Sequence, residues 1–112
     1  MVRLTMVEFP SNDPAASAAF FDTAFGLGSD SYGPRYEDVH LENGQTLGFQ
    51  GDPSEKPASP LTVIEVDDLS AARAAIEAAG GTITVEPFSF PGGRRLHFRE
   101  PGGNELAVWV RE

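Results

Sequence analysis

Apolar and polar positions along the chain alternate between two rhythms, and the same succession of rhythms occurs twice. Leu4 to Phe9 reads as a short strand that ends at Pro10. Asp13-Pro14 follows as an N-cap with proline at the first helical position. The next stretch, AASAAFFDTAF, places Ala16, Phe20, Ala24 and Leu27 on one helical face, and Gly26 and Gly28 stop it. A strand-like segment around Ser29–Tyr32 is interrupted by Gly33-Pro34. Tyr36–Glu42 and Gln45–Gln50 then flank Asn43-Gly44, which predicts a two-residue hairpin with both turn positions at positive φ.

The second half repeats the order. Leu61–Val66 alternates as a strand, and Asp67-Asp68 opens the helix LSAARAAIEAA, with Leu69, Ala72, Ile76 and Ala79 on one face. Gly80-Gly81 stops that helix. Thr82–Val85 and Arg94–Arg99 read as strands, and Pro101-Gly102-Gly103-Asn104 turns the chain into Glu105–Val110. Matching His40 to His97 and Gly44 to Gly103 aligns Leu47 with Leu106 and Gly48 with Ala107. The expected fold class is therefore α+β: two tandem β-α-β-β-β modules whose curved, mixed or antiparallel sheets surround a cleft, with helices outside. As a single domain over 1–112, the first module spans 1–51, a proline-rich linker 52–60, and the second module 61–112.

Composition narrows the possible functions. The chain of 112 residues carries eight Lys/Arg against seventeen Asp/Glu, a net charge of −9. Residues 1–55 hold two Lys/Arg against nine Asp/Glu (−7), and residues 56–112 hold six against eight (−2). Phosphate contacts need a basic face, so nucleic acid is not an expected partner. An acidic field suits a cationic small ligand and also favours solubility. No apolar run approaches the roughly 20 residues of a membrane span, and no signal-peptide pattern opens the chain, so a cytoplasmic location and no membrane partner are expected. Cysteine is absent, which removes disulfide and thiolate chemistry and would leave zinc only His and carboxylate ligands.

Three segments in order carry a family resemblance. They are Asp13-Pro14-Ala15-Ala16-Ser17-Ala18-Ala19-Phe20-Phe21 running to Phe25-Gly26, then Val66-Asp67-Asp68-Leu69 running to Ala79-Gly80-Gly81, and finally Glu100-Pro101-Gly102-Gly103-Asn104. Together they resemble the vicinal oxygen chelate superfamily, which includes glyoxalase I, bleomycin-resistance proteins and extradiol dioxygenases. The resemblance covers essentially the whole chain and implies a homodimer. It also implies a divalent metal held by His, Glu or Gln, two from each half. The matching positions here are Met6, Gly48, Leu61 and Ala107, none of which offers the usual nitrogen or oxygen donor. No metal and no cofactor is therefore expected.

Strand parity supplies candidates for a ligand-facing surface. Met6 carries Glu8 with it, leaving Val7 and Phe9 toward the helix. Leu61 carries Val63, Gly48 carries Gln50, and Ala107 carries Trp109. Tyr36 and His40 lie opposite Val39 and Leu41, and Arg95 and His97 lie opposite Leu96 and Phe98. The candidate ligand-binding set is Met6, Glu8, Tyr36, His40, Gln50, Leu61, Val63, Arg95, His97 and Trp109, with Glu8 the one candidate catalytic residue. The expected function is metal-independent binding of a small organic ligand in an apolar cleft. The alternative is a lyase, isomerase or dioxygenase with a non-standard metal site or with Glu8 as general base.

Overall fold

A computed structural model describes residues 1–112. Ten elements follow one another: β1 (Val2–Pro10), α1 (Pro14–Phe25), β2 (Ser29–Ser31), β3 (Tyr36–His40), β4 (Thr46–Gln50), β5 (Leu61–Val66), α2 (Leu69–Ala78), β6 (Thr82–Phe90), β7 (Gly93–Arg99) and β8 (Glu105–Arg111). The β-α-β-β-β order thus occurs twice, and the fold is α+β. The chain divides into two compact units, one of Thr5–Leu61 and one of Met1–Leu4 with Thr62–Glu112. Neither helix is long and apolar enough to cross a membrane.

In the Thr5–Leu61 unit the strands lie in the order β2-β3-β4-β1. β1 runs parallel to β4, while β4–β3 and β3–β2 are antiparallel. Helix α1 covers one face. Its Ala18 packs with Val39 and Phe49, joined by Phe9, Phe21, Leu27 and Leu47. The helix starts where the sequence places it, with the Ala16 N–H donating to Asp13 Oδ1 at 3.1 Å. Its buried face is nevertheless not the expected one. Pro14 and Ala18 are buried and Phe21 is half-buried, whereas Ala16 and Ala24 are exposed and Phe20 is 60% exposed. An Ala- and Phe-rich helix is apolar on every side, so periodicity alone selects no unique face. The entry to the helix decides instead: Pro14 packs so close to Gly51 that a β-carbon there would lie 2.8 Å from Pro14 Cγ.

In the second unit the order is β5-β8-β7-β6, with the start of β1 beside β5. β5 is parallel to β8, and β8–β7 and β7–β6 are antiparallel. Leu69 of α2 packs on Leu96 and Val108, with Ala72, Ile76, Ile83, Ile64 and Phe98 around them. Ala72 and Ile76 thus lie on the face expected for them. β6 is much longer than the expected Thr82–Val85. Register shifts between Ile83 and Val85 and between Val85 and Phe88 let it continue past Pro87, which has no N–H to give to a regular ladder.

The two closing turns are alike. The Leu41 N–H donates to Gln45 O (2.9 Å) and the Gly44 N–H to Leu41 O (3.2 Å). Glu100 N–H to Asn104 O and Gly103 N–H to Glu100 O repeat this, both at 2.9 Å. Only Gly44 and Gly103 take positive φ there, +85° and +99°, and Asn43 does not. The Asn43-Gly44 segment is therefore a type I turn followed by a glycine bulge, not the expected turn with two positive-φ residues.

Candidate functional site

In a sheet, cross-strand partners share a face, so the pairing register reads out the surface of each module that its helix leaves uncovered. In the first module Glu8 pairs with Gly48, Gly48 with Asp38, and Asp38 with Asp30. On one side of this row lie Met6, Thr46 and His40; on the other lie Pro10, Gln50 and Tyr36. A helix-free face thus carries Glu8, Asp38 and Asp30 in one line across four strands.

Glu8 is the centre of this face. Its residue exposure is 2%, and the Tyr36 hydroxyl donates to Glu8 Oε2 at 2.9 Å. The same hydroxyl lies 3.6 Å from Met6 Sδ. It reaches them diagonally across Gly48, and a β-carbon on Gly48 would collide with the hydroxyl oxygen and approach Met6 Sδ to 3.2 Å. Glycine at this position is what admits the phenol. Met6, Glu8 and Tyr36, three of the candidates drawn from parity, are therefore brought together.

The other first-module candidates are engaged differently. His40 Nε2 lies 2.8 Å from Asp30 Oδ2 in an exposed pair at the strand end. Gln50 is buried, and its Oε1 accepts the Asp52 N–H at 2.9 Å, which ties it to the following turn. Leu61 is buried at 2%. Asp38 was missed in the sequence, although it stands between Tyr36 and His40 on the same parity. Burial raises its carboxyl above the ordinary value, with the charges of Asp30 and Glu8 adding to the effect. A hydrogen bond from Thr46 and the nearby His40 oppose it. Asp38 Oδ1 is buried and accepts no hydrogen bond.

In the second module Val63 pairs with Ala107 and Ala107 with His97; Glu65 pairs with Trp109, Trp109 with Arg95, and Arg95 with Phe88. Val63 is buried. Arg95 lies over two rings, its guanidinium carbon 5.2 Å from the Phe88 centroid and 5.5 Å from that of Phe90. His97 tilts against Phe88 at 5.8 Å and Trp109 against Phe90 at 5.8 Å. Arg111 lies 5.1 Å above the Trp109 ring. Glu65, buried beside them, is ion-paired with Arg3 and, at 3.5 Å, with Arg111. The hydrogen bond from Arg3 holds its carboxyl below the usual range despite desolvation, and the Arg111 charge adds to this.

The pairing also corrects the internal alignment. His40 faces Thr46, whereas His97 faces Ala107, the counterpart of Gly48. Aligning the two like turns therefore matches His97 with Asp38, Tyr36 with Arg95 and His40 with Arg99. The His40–His97 match was two residues out, one full strand repeat, which keeps parity and so hides the slip.

The donor set for a family-type metal does not fit. Of its four positions, Leu61 and Ala107 are buried hydrocarbon and Gly48 has no side chain. Met6 offers only a thioether, which the Tyr36 hydroxyl already approaches. No group of three His, Cys, Asp or Glu side chains is arranged to hold a metal ion.

The strand order within each module, the helix on one face and the residue row on the other define a class: paired β-α-β-β-β modules of the glyoxalase type. The model of the Glyoxalase/Bleomycin resistance protein/Dioxygenase superfamily matches residues 3–108, and the chain belongs to this family. Among solved structures it is similar to methylmalonyl-CoA epimerase from Mycobacterium tuberculosis, at 12% identity and a TM-score of 0.78, covering 98% of this chain and 88% of that one. A glyoxalase/bleomycin resistance protein/dioxygenase superfamily member from Vibrio splendidus 12B01 matches at 16% identity, with all of both chains covered and a TM-score of 0.72. The Mn(II)-bound glyoxalase from Novosphingobium aromaticivorans matches at 21% identity and a TM-score of 0.71, covering 98% of this chain and 40% of that one. At these identities the likeness is one of fold. Comparison with curated proteins gave no match.

Proposed function

We propose that this chain binds a small organic molecule without a metal ion, through the helix-free face of the first module, and that Glu8 and Tyr36 supply its polar recognition. The supporting observation is the Tyr36 hydroxyl, which fills the space above Gly48 and donates to Glu8. The phenol takes up the side-chain space of Gly48, one of the four positions that the resemblance marks for metal ligands, and the carboxylate lies two residues along β1 from another, Met6. A carboxylate that accepts from a phenol, in one row with the Asp38 and Asp30 carboxylates, makes this part of the face rich in acceptors. It suits a ligand that presents N–H donors or a positive charge, in keeping with the −7 of residues 1–55.

The test has two arms. Elemental analysis of protein purified without chelator is expected to show no stoichiometric zinc, nickel, manganese or iron, and a chelator is expected to leave Tm unchanged. A thermal-shift panel of amines and quaternary ammonium compounds is expected to yield ligands whose shift is lost in Glu8→Gln. Stoichiometric metal, or an empty panel, overturns the reading. A second reading, Glu8 as general base of a metal-free lyase or isomerase, draws on the same buried, phenol-bonded carboxylate. It would be marked by turnover that Glu8→Gln abolishes while ligand binding and fold persist.

A further inference from the structure

The loop that joins β2 to β3 carries an exposed aromatic ring at the end of the Glu8 face. The β2–β3 ladder pairs Asp30 with Asp38 and Ser31 with Glu37. Its next rung joins Tyr32, the first residue after β2, to Tyr36, whose carbonyl accepts the Tyr32 N–H at 3.0 Å. Tyr32 therefore shares a face with Tyr36 and, two residues back along the chain, with Asp30. The two phenol rings lie 6.2 Å apart with their planes inclined by 68°. Their settings differ. Tyr36 is half-buried and gives its hydroxyl proton to Glu8, whereas Tyr32 is 62% exposed. The loop that bears Tyr32 is tethered at several points. Gly33 turns the chain at φ +99°, and the Ser31 hydroxyl donates to Gly33 O at 3.3 Å. The Gly51 N–H donates to Arg35 O at 2.8 Å, and the Arg35 guanidinium is ion-paired with Asp52 at 3.7 Å.

We infer that Tyr32 is a specificity-determining residue of this face and that it selects a methylated ammonium compound, whose N-methyl groups lie against its ring. This rests on the proposed function, in which the face binds a cation, and narrows it to one class of cation. Carboxylates alone do not discriminate, since Glu8, Asp38 and Asp30 attract a primary and a quaternary ammonium alike. A ring beside them does. A primary ammonium is a compact, strongly hydrated charge that needs acceptors for its three N–H groups. A quaternary nitrogen has no N–H to give and carries its charge on an apolar methyl surface, which the negative face of an aromatic ring receives. A ring on a tethered loop meets such a ligand at little ordering cost. The charge of the Thr5–Leu61 unit agrees: nine Asp/Glu stand against Arg35 and Lys56. Both of those cations are held by groups of their own, Arg35 by Asp52 and Lys56 by Asn12 Oδ1 at 2.8 Å.

Three probes of like shape separate charge from methylation: choline, ethanolamine, which lacks the methyl groups, and 3,3-dimethylbutan-1-ol, the uncharged carbon analogue of choline. In isothermal titration calorimetry choline is expected to bind about tenfold more tightly than either of the others. Tyr32→Leu should weaken choline by about the same factor and leave ethanolamine unchanged. Tyr32→Trp should keep or raise the choline affinity, because indole is the strongest cation-binding ring. Tyr32 is exposed, so both variants should keep the circular dichroism spectrum and the ligand-free Tm of the unmodified protein. Glu8→Gln should weaken choline and ethanolamine alike, since it removes charge and leaves the ring. No binding of choline, equal affinity for choline and ethanolamine, or an unaltered choline affinity in folded Tyr32→Leu overturns the inference. If other amines then still bind and lose that binding in Glu8→Gln, the proposed function stands without this specificity; if no amine or ammonium compound binds, both fall.

Discussion

At the scale of single residues, Gly48 explains the most with the least. Its missing side chain is the space into which the Tyr36 hydroxyl reaches, so Gly48→Ala must push the phenol off Glu8. Losing a hydrogen bond to a buried carboxylate is expected to cost about 1–3 kcal/mol in urea unfolding. In a Tyr36→Phe background the collision partner is gone and Cζ lies 3.1 Å from the added carbon. The same Gly48→Ala change should then cost less, and the difference, read as a double-mutant cycle, measures the coupling. Asp38 makes a prediction of opposite sign. Its carboxyl is raised by burial, so the folded chain holds that proton to higher pH than the unfolded chain does. Stability from this group is therefore complete at low pH and lost as pH rises from the ordinary carboxylate value through the raised one. Asp38→Asn removes the buried charge. It should stabilise the protein at about pH 7 and make little difference at about pH 3.5, where the native carboxyl is protonated as well. Both residues were readable in principle. Parity named Tyr36 and His40 and passed over the residue between them that shares their face, while the contact of Tyr36 with Glu8 spans 28 positions and leaves no local trace.

At the scale of elements, the signals that survived folding were the local ones. Asp13 and Asp68 cap their helices through the expected N–H of the third residue on, at 3.1 and 3.0 Å. Gly26 ends α1 in the left-handed region at φ +69°. What the pattern could not fix was rotation and register. α1 turned its Ala18–Phe21 side to the sheet because Pro14 and Gly51 dictate its entry, and β6 ran on through a proline by bulging. The consequence for α1 is measurable. Phe21 packs against Phe49, with ring centroids 5.5 Å apart, and Phe21→Ala should cost about 2–4 kcal/mol. Phe20, one position away and mostly exposed, should cost under about 0.5 kcal/mol on replacement by Gln. Equal costs for the two would restore the face drawn from periodicity.

At the scale of the whole molecule, the twofold repeat was legible because each module must bury one sheet face under its own helix, and that demand writes itself into the sequence twice. The chemistry was less legible because the repeat has diverged on the other face. Where the first module carries Glu8, Tyr36 and Asp38, the aligned positions of the second carry Val63, Arg95 and His97. Carboxylate and phenol have become hydrocarbon, guanidinium and imidazole. Composition hints at this only as the contrast between −7 and −2 in the two parts of the chain.

The first strand has a consequence of another kind. Met1–Leu4 belong to the compact unit built from the far end of the chain, while the rest of β1 belongs to the other. Arg3 there holds Glu65, and the amino terminus meets Asp67 at 2.6 Å. A gene cut at the boundary of the duplicated halves would yield a later half that lacks its own clasp. Only a fragment that keeps Met1–Leu4 together with Thr62–Glu112 would retain the Arg3–Glu65 pair.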